Sequence, residues 1–268
     1  MRLLLCAVLL SSIGTVQAQV RVTDDYGYEV VLKAPAQRIV SLSPHLTELL
    51  YAAGAGAKVV GAVDYSDFPP EARKLPRVGG DVGIDLEAVL ALRPDLIVAW
   101  PNAGSLRAVN RLAELGIPTF RSEPRELDAI PTTIEKLGAL AGTSSSAAAS
   151  FRKRAGELEK RYSRRPPVRV FYQVWDRPLQ TINGDHVISK VIRLCGGQNV
   201  FAAAPTLAPE IDREALLRAR PEVTITSIAN TPPPAHFIPG ELIQRHTPRL
   251  LHGAERLCRI LEAARTAR

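Results

Sequence analysis

The residues that could do chemistry in this 268-residue chain are few and scattered. Its five histidines, at positions 45, 186, 236, 246 and 252, show neither an HExxH stretch nor paired-ligand spacing. They read as solvated or local hydrogen bonders rather than metal ligands. His45 stands apart, because it starts a predicted helix just after a predicted strand, where open parallel sheets place ligands. Carboxylate pairs occur only as solvated neighbours such as Glu157 and Glu159. Gly54-Ala55-Gly56 follows a helix and precedes a strand, whereas a phosphate cradle needs strand, glycine turn and then helix, so these glycines read as a helix end. Neither GxxxxGK[ST] nor GxSxG occurs. No catalytic residue, metal centre or cofactor is expected, and the chain is not read as an enzyme.

Aromatic residues at predicted strand ends are what the chain offers instead. Tyr65 and Phe68 follow the second strand, Trp100 ends the LIVAW strand, and Tyr172 and Trp175 lie at the end of a later one. Grouped at one sheet edge they would form flat walls for a large planar ligand; the alternative is that each caps a local core.

The elements that position them alternate. Strands are predicted over 38–43, 59–64, 96–100 and 117–122, with helices over 44–53, 85–92, 105–115 and 127–140 between them. A Pro-rich loop fills 65–80. After residue 165 the rhythm returns, with strands over 169–175 and 223–228 and helices over 187–194, 212–219 and 249–265. Apolar strands alternating with helices imply parallel sheets covered on both faces. Between the halves, residues 143–165 carry Ala148, Phe151, Ala155, Leu158 and Tyr162 as one apolar stripe, with Ser144 to Ser146 as cap candidates and Pro166-Pro167 as the stop. The stripe predicts either a surface helix of one domain or a strut between two lobes.

An internal repeat favours the strut. DLEAVLALRPDLIVAW from Asp85 and DREALLRARPEVTITS from Asp212 match at Asp, Glu, Ala, Leu, Arg and Pro with one offset of 127 residues. The expected fold is α/β: two lobes with parallel-type sheets flanked by helices, joined by a single long backbone helix. The N-terminal lobe is 19–142, the interlobe helix 143–165 and the C-terminal lobe 166–268.

Residues 1–18 read as a signal peptide cleaved after Ala18, with Arg2, the apolar run Leu3 to Leu10 and the small-residue site Val16-Gln17-Ala18. An exported, periplasmic product is expected. The formal charge of +7 is concentrated around residues 152–169, where it reads as a solvated helix face; without interleaved aromatics it argues against nucleic acid binding. Beyond the signal only Cys195 and Cys258 remain, compatible with one disulfide or with two buried thiols.

RIVSLSPHLTELLYAAG, VDYSDFPP, DLEAVLALRPDLIVAW, TINGDHVISKVIRLCGGQNVF and RHTPRLLHGAERLC, over roughly residues 37–262, resemble the cobalamin-binding periplasmic proteins of ABC importers. That branch belongs to the helical-backbone class of substrate-binding proteins, which also holds heme and ferric-siderophore receptors. The resemblance implies a monomer that carries cobalamin, a corrinoid, as transported ligand and docks on a membrane permease. By position it implies that Tyr65, Trp100, Glu241 and Arg245 contact ligand, that Glu87 and Glu214 dock the permease, and that Cys195 pairs with Cys258. Asp81, Thr181 and Ala208 stand where the family has bulkier contacts, which implies a thinner wall.

Overall fold

The computed structural model describes residues 19–80, 83–102 and 104–267; the expected signal peptide at 1–18 and Asp81 lie outside the described residues. The chain opens with an antiparallel hairpin, β1 (Val20–Thr23) and β2 (Glu29–Leu32). Asp24 closes its turn by accepting from the Tyr26 and Tyr28 amides, 2.9 Å each.

The N-terminal lobe follows as β3 (Ile39–Ser41), α1 (Pro44–Ala52), β4 (Val59–Ala62), the short pair β5 (Gly79–Gly80) and β6 (Gly83–Ile84), α2 (Leu86–Ala91), β7 (Leu96–Ala99), α3 (Leu106–Glu114), β8 (Thr119–Arg121) and α4 (Ala129–Ala141). After α5 (Ala147–Tyr162), the C-terminal lobe comprises β9 (Val168–Gln173), α6 (Val187–Leu194), β10 (Gly197–Asn199), α7 (Arg213–Ala219), β11 (Val223–Thr226), β12 (His236–Phe237), α8 (Gly240–Ile243) and α9 (Leu250–Thr266). The sheets run β4-β3-β7-β8 and β10-β9-β11-β12, all neighbours parallel. In each lobe the first strand lies between the second and the third, so the two lobes share one topology and each has a switch point beside its first strand.

The sequence repeat is a structural one. Asp85 and Asp212 cap α2 and α7, their carboxylates accepting from the Ala88 amide at 2.9 Å and the Ala215 amide at 2.5 Å. Both helices end at an arginine in the left-handed region, Arg93 at φ 45° and Arg220 at φ 43°. Arg38, entering β3, donates to the carbonyls of Leu92 and Arg93; Arg169, in β9, donates to those of Ala219 and Arg220. Each arginine clamps the final carbonyls of its own lobe's repeated helix, where the helix dipole favours a cation.

The interlobe helix spans its apolar stripe but is shorter than the expected 143–165. It covers 16 residues, about 24 Å. The Thr/Ser run before it is partly diverted: Thr143 Oγ1 donates to the Ala53 carbonyl at 2.8 Å and Ser145 Oγ to that of Ala52 at 2.5 Å, closing α1, while Ser145 Oγ accepts from the Ala147 amide at 3.3 Å and the N-cap residue Ser146 makes no side-chain bond. Gly142 lets α4 end at φ 63°, and a Cβ there would sit 2.7 Å from Pro35. Ala148, Phe151 and Tyr162 of α5 are buried in one apolar cluster that runs from Leu46, Leu49 and Leu137 to Val170, Ile192 and Leu261. The strut is thus part of a core continuous through both lobes. Val40, Ile97, Val89, Val109 and Leu112 form a second cluster on the other face of the N-terminal sheet. A disulfide joins Cys195, after α6, to Cys258 of α9.

Candidate functional site in the interlobe cleft

The C-terminal ends of β3 and β7, either side of the N-terminal switch point, carry Ser43-Pro44-His45 and Trp100. They open onto a hollow of about 330 Å³ that Gln244 and Arg245 of the other lobe help to line. Proline at the first turn of α1 fixes the chain's exit from β3 and presents His45 to this hollow. His45 is nearly buried, its ring edge-on to Trp100 at 5.8 Å between centroids. His246 lies 6.0 Å from His45, and His186 6.3 Å from His246. Burial pushes the His45 imidazole down to about 3, with the charges of His246 and Arg245 adding to it. Burial likewise holds His186 and His246 at about 4, the latter with help from His186. The reading of the histidines as solvated or locally bonded fits four of them, since His45 bonds Ser43 Oγ at 2.6 Å and His186 accepts from the Ile188 amide at 3.1 Å, but it did not foresee that three would be largely buried together. His236 and His252 are exposed, but the other three form a largely buried chain across the lobe seam, and neither His45 Nε2 nor His246 Nε2 has a hydrogen-bond partner.

Arg245 crosses the cleft. Its Nη1 lies 3.1 Å from Glu48 Oε1 and 2.6 Å from Asp67 Oδ1, and its Nη2 donates to the Tyr65 carbonyl at 3.2 Å. Four residues on, Arg249 grips the same Glu48 through Nε at 2.9 Å and Nη2 at 2.6 Å, and its guanidinium lies 4.1 Å from the centre of the Phe68 ring. The Glu48 side chain is 2% exposed. Burial alone would raise the Asp67 carboxyl, but the hydrogen bond and charge of Arg245 hold it below the usual carboxylate range.

A second hollow, of about 540 Å³, adjoins the first and is lined by Asp67, Phe68, Arg73, Glu241, Gln244 and Arg245 among others. The structure therefore brings Trp100 and Arg245 into one hollow, and Arg245 and Glu241 into the next. Tyr65 is 66% exposed, and its backbone stands at φ 60° with the carbonyl on Arg245. Two expected wall residues are not on the wall. Tyr172 is fully buried with its hydroxyl 2.6 Å from Ser227, and Thr181 is fully buried and donates to the Tyr172 carbonyl, so both belong to the core of the C-terminal lobe. Trp175 is 58% exposed and lines neither hollow. Glu87 and Glu214 are exposed on α2 and α7. No group of three or more His, Cys, Asp or Glu able to hold a metal ion occurs among the described residues.

Sequence reasoning missed Glu48, Asp67 and Arg249. The signal that could have found them is thin: two arginines at a four-residue spacing in RHTPR, next to a helix of the same lobe.

The family described as periplasmic binding protein matches residues 39–245. The chain is similar to the vitamin B12-binding protein of Yersinia pestis (strain Pestoides F), 36% identical over 94% of this chain and 90% of that protein. Among solved structures it is similar to the periplasmic vitamin B12 binding protein BtuF of Vibrio cholerae, with TM-score 0.78 and 36% identity over 86% of this chain and 98% of that one. The periplasmic heme-binding protein RhuT from Roseiflexus sp. RS-1 shares the fold, with TM-score 0.72 and 22% identity over 85% and 99%. With two like-built lobes around a cleft and a family match over most of its length, the chain belongs to the periplasmic binding proteins, a transport family of ligand carriers rather than enzymes.

Proposed function

We propose that the chain, exported and freed of residues 1–18, works as a monomer that captures cobalamin in the interlobe cleft and hands it to the permease of an ABC importer. The observation that carries this reading is Trp100 at the switch point of a cleft whose far side is Arg245, in a chain 36% identical along nearly its whole length to proteins named for vitamin B12 binding. A corrinoid exceeds either hollow alone, so it spans both, and Arg245, which lines each of them, is the partition it meets. Tyr65 and Trp100 supply exposed aromatic surface to the corrin ring, and Glu241 and Arg245 supply polar contacts from the other lobe.

Glu87 and Glu214 serve as docking carboxylates, one per lobe. Their repeat-related helices place each in the first turn, and both are exposed, as a charge that orients a partner must be, with Glu214 also paired to Arg218 at 3.3 Å.

Incubating purified protein with cyanocobalamin and separately with hemin, followed by native mass spectrometry and absorption spectroscopy, tests the ligand class. A one-to-one cyanocobalamin complex is expected; a hemin complex without a cyanocobalamin complex would replace this reading.

A further inference from the structure

Resting on the corrinoid reading, we propose that the cleft floor selects ligands rimmed with neutral carboxamides over ligands rimmed with carboxylates, with His45 as the hydrogen-bonding contact. His45 lines the main hollow yet is only 8% exposed. Its Nδ1 lies 2.6 Å from Ser43 Oγ, while Nε2 has no partner and is itself closed to solvent at the lobe seam beside His246, so a ligand reaches it only as the lobes part there. If the Ser43 hydroxyl donates, Nε2 carries the proton and seeks an acceptor; if Nδ1 donates, Nε2 is itself an acceptor. A primary carboxamide offers both a carbonyl and an N–H, so it satisfies either tautomer. A carboxylate satisfies only one.

The charges around the floor point the same way. Among the described residues that line this hollow, only Asp64 and Arg245 are charged. Arg245 already faces two carboxylates, Glu48 at 3.1 Å and Asp67 at 2.6 Å, so its charge is spent within the protein. Asp64 is exposed at the hollow's edge. Burial keeps His45 neutral down to about pH 3, so it adds no compensating charge. An ionised propionate entering here meets Asp64 and finds no free cation, whereas an amide-rimmed corrinoid carries no such charge.

The test is a set of calorimetric titrations with cyanocobalamin, with its three side-chain monocarboxylic acids (one propionamide hydrolysed in each) and with hemin. Cyanocobalamin should bind more tightly than at least one monocarboxylate by about tenfold, and more tightly than hemin. Asp64→Asn should narrow the gap, and His45→Ala should weaken cyanocobalamin binding about fivefold while His45→Gln, which keeps an amide at the site, weakens it less. Thermal melts of each variant confirm that it is folded. Equal affinity for cyanocobalamin and all three acids would overturn the selectivity and leave the corrinoid reading standing. Unchanged binding by folded His45→Ala would remove His45 as the contact. Failure of cyanocobalamin to bind at all would overturn both readings.

Discussion

Replacing Glu48 with alanine should cost the protein about 3–5 kcal/mol of stability. The carboxylate is 2% exposed, and three guanidinium nitrogens from the other lobe approach it, at 3.1, 2.9 and 2.6 Å. With Glu48 gone, Arg245 keeps Asp67 and the Tyr65 carbonyl, but Arg249 keeps only the face of Phe68 and the more distant charge of Asp67, and becomes a partly buried cation without a bonded carboxylate. The cost is dominated by that stranded cation, so Glu48→Met combined with Arg249→Met should recover much of the loss. Asp67→Ala should cost under about 1 kcal/mol, because its side chain is 51% exposed and solvent replaces the ion pair. Urea unfolding followed by circular dichroism reads all three variants. Since the apolar core runs unbroken through α5, the loss should appear as one lower midpoint rather than two separate transitions. A loss below about 1 kcal/mol for Glu48→Ala, or no recovery in the double variant, would refute the picture of a buried interlobe pair.

Reducing the Cys195–Cys258 bond, whose partners are 63 residues apart, should cost about 4 kcal/mol in the chain-entropy model; unfolding with and without a reductant measures it. Acid should weaken the fold ahead of general carboxylate titration. His45, His186 and His246 have folded pKa values of about 3 to 4, below the unfolded 6.5, so the unfolded chain binds more protons in that window. Stability is then full above pH 6.5 and falls as pH drops from 6.5 towards 4, by at most about 1.4 kcal/mol per pH unit for each histidine. His186→Gln with His246→Gln should flatten that slope, and an unchanged slope would contradict the assignment. Glu87→Ala and Glu214→Ala should leave melting and ligand affinity nearly unchanged while each lowers permease association by a few kcal/mol, the double variant most; normal transport by the double variant would leave the carboxylates a purely local helix role.

Much of the scaffold was legible because its signals are local. Asp85 and Asp212 announce helix starts, Gly54 marks a helix end, and the 127-residue offset exposes two lobes before any strand is paired. What failed was whatever depended on distant partners. Ser144 to Ser146 looked like cap candidates for α5, yet Ser146 makes no cap bond, and Ser145, with Thr143, donates to carbonyls at the end of α1, some 90 positions earlier. The edge strands β10 and β12 were not predicted, because three and two residues are too few to show a period. In the site, Trp100 and His45 were readable from their place at strand ends, whereas Tyr172 at the end of β9 points into its own core. Glu48 sits mid-helix among leucines, and its partners Arg245 and Arg249 lie 197 and 201 residues on, beyond the reach of any periodicity.

The most direct measurement of the central claim is calorimetric titration of cyanocobalamin into wild type, Tyr65→Ala, Trp100→Ala and the double variant. The wild type should bind one equivalent, each single variant should be weaker by about 1–3 kcal/mol, and the double variant weakest. Full-affinity binding by the double variant would place the ligand outside this cleft, and no binding by wild type would contradict the account at its root.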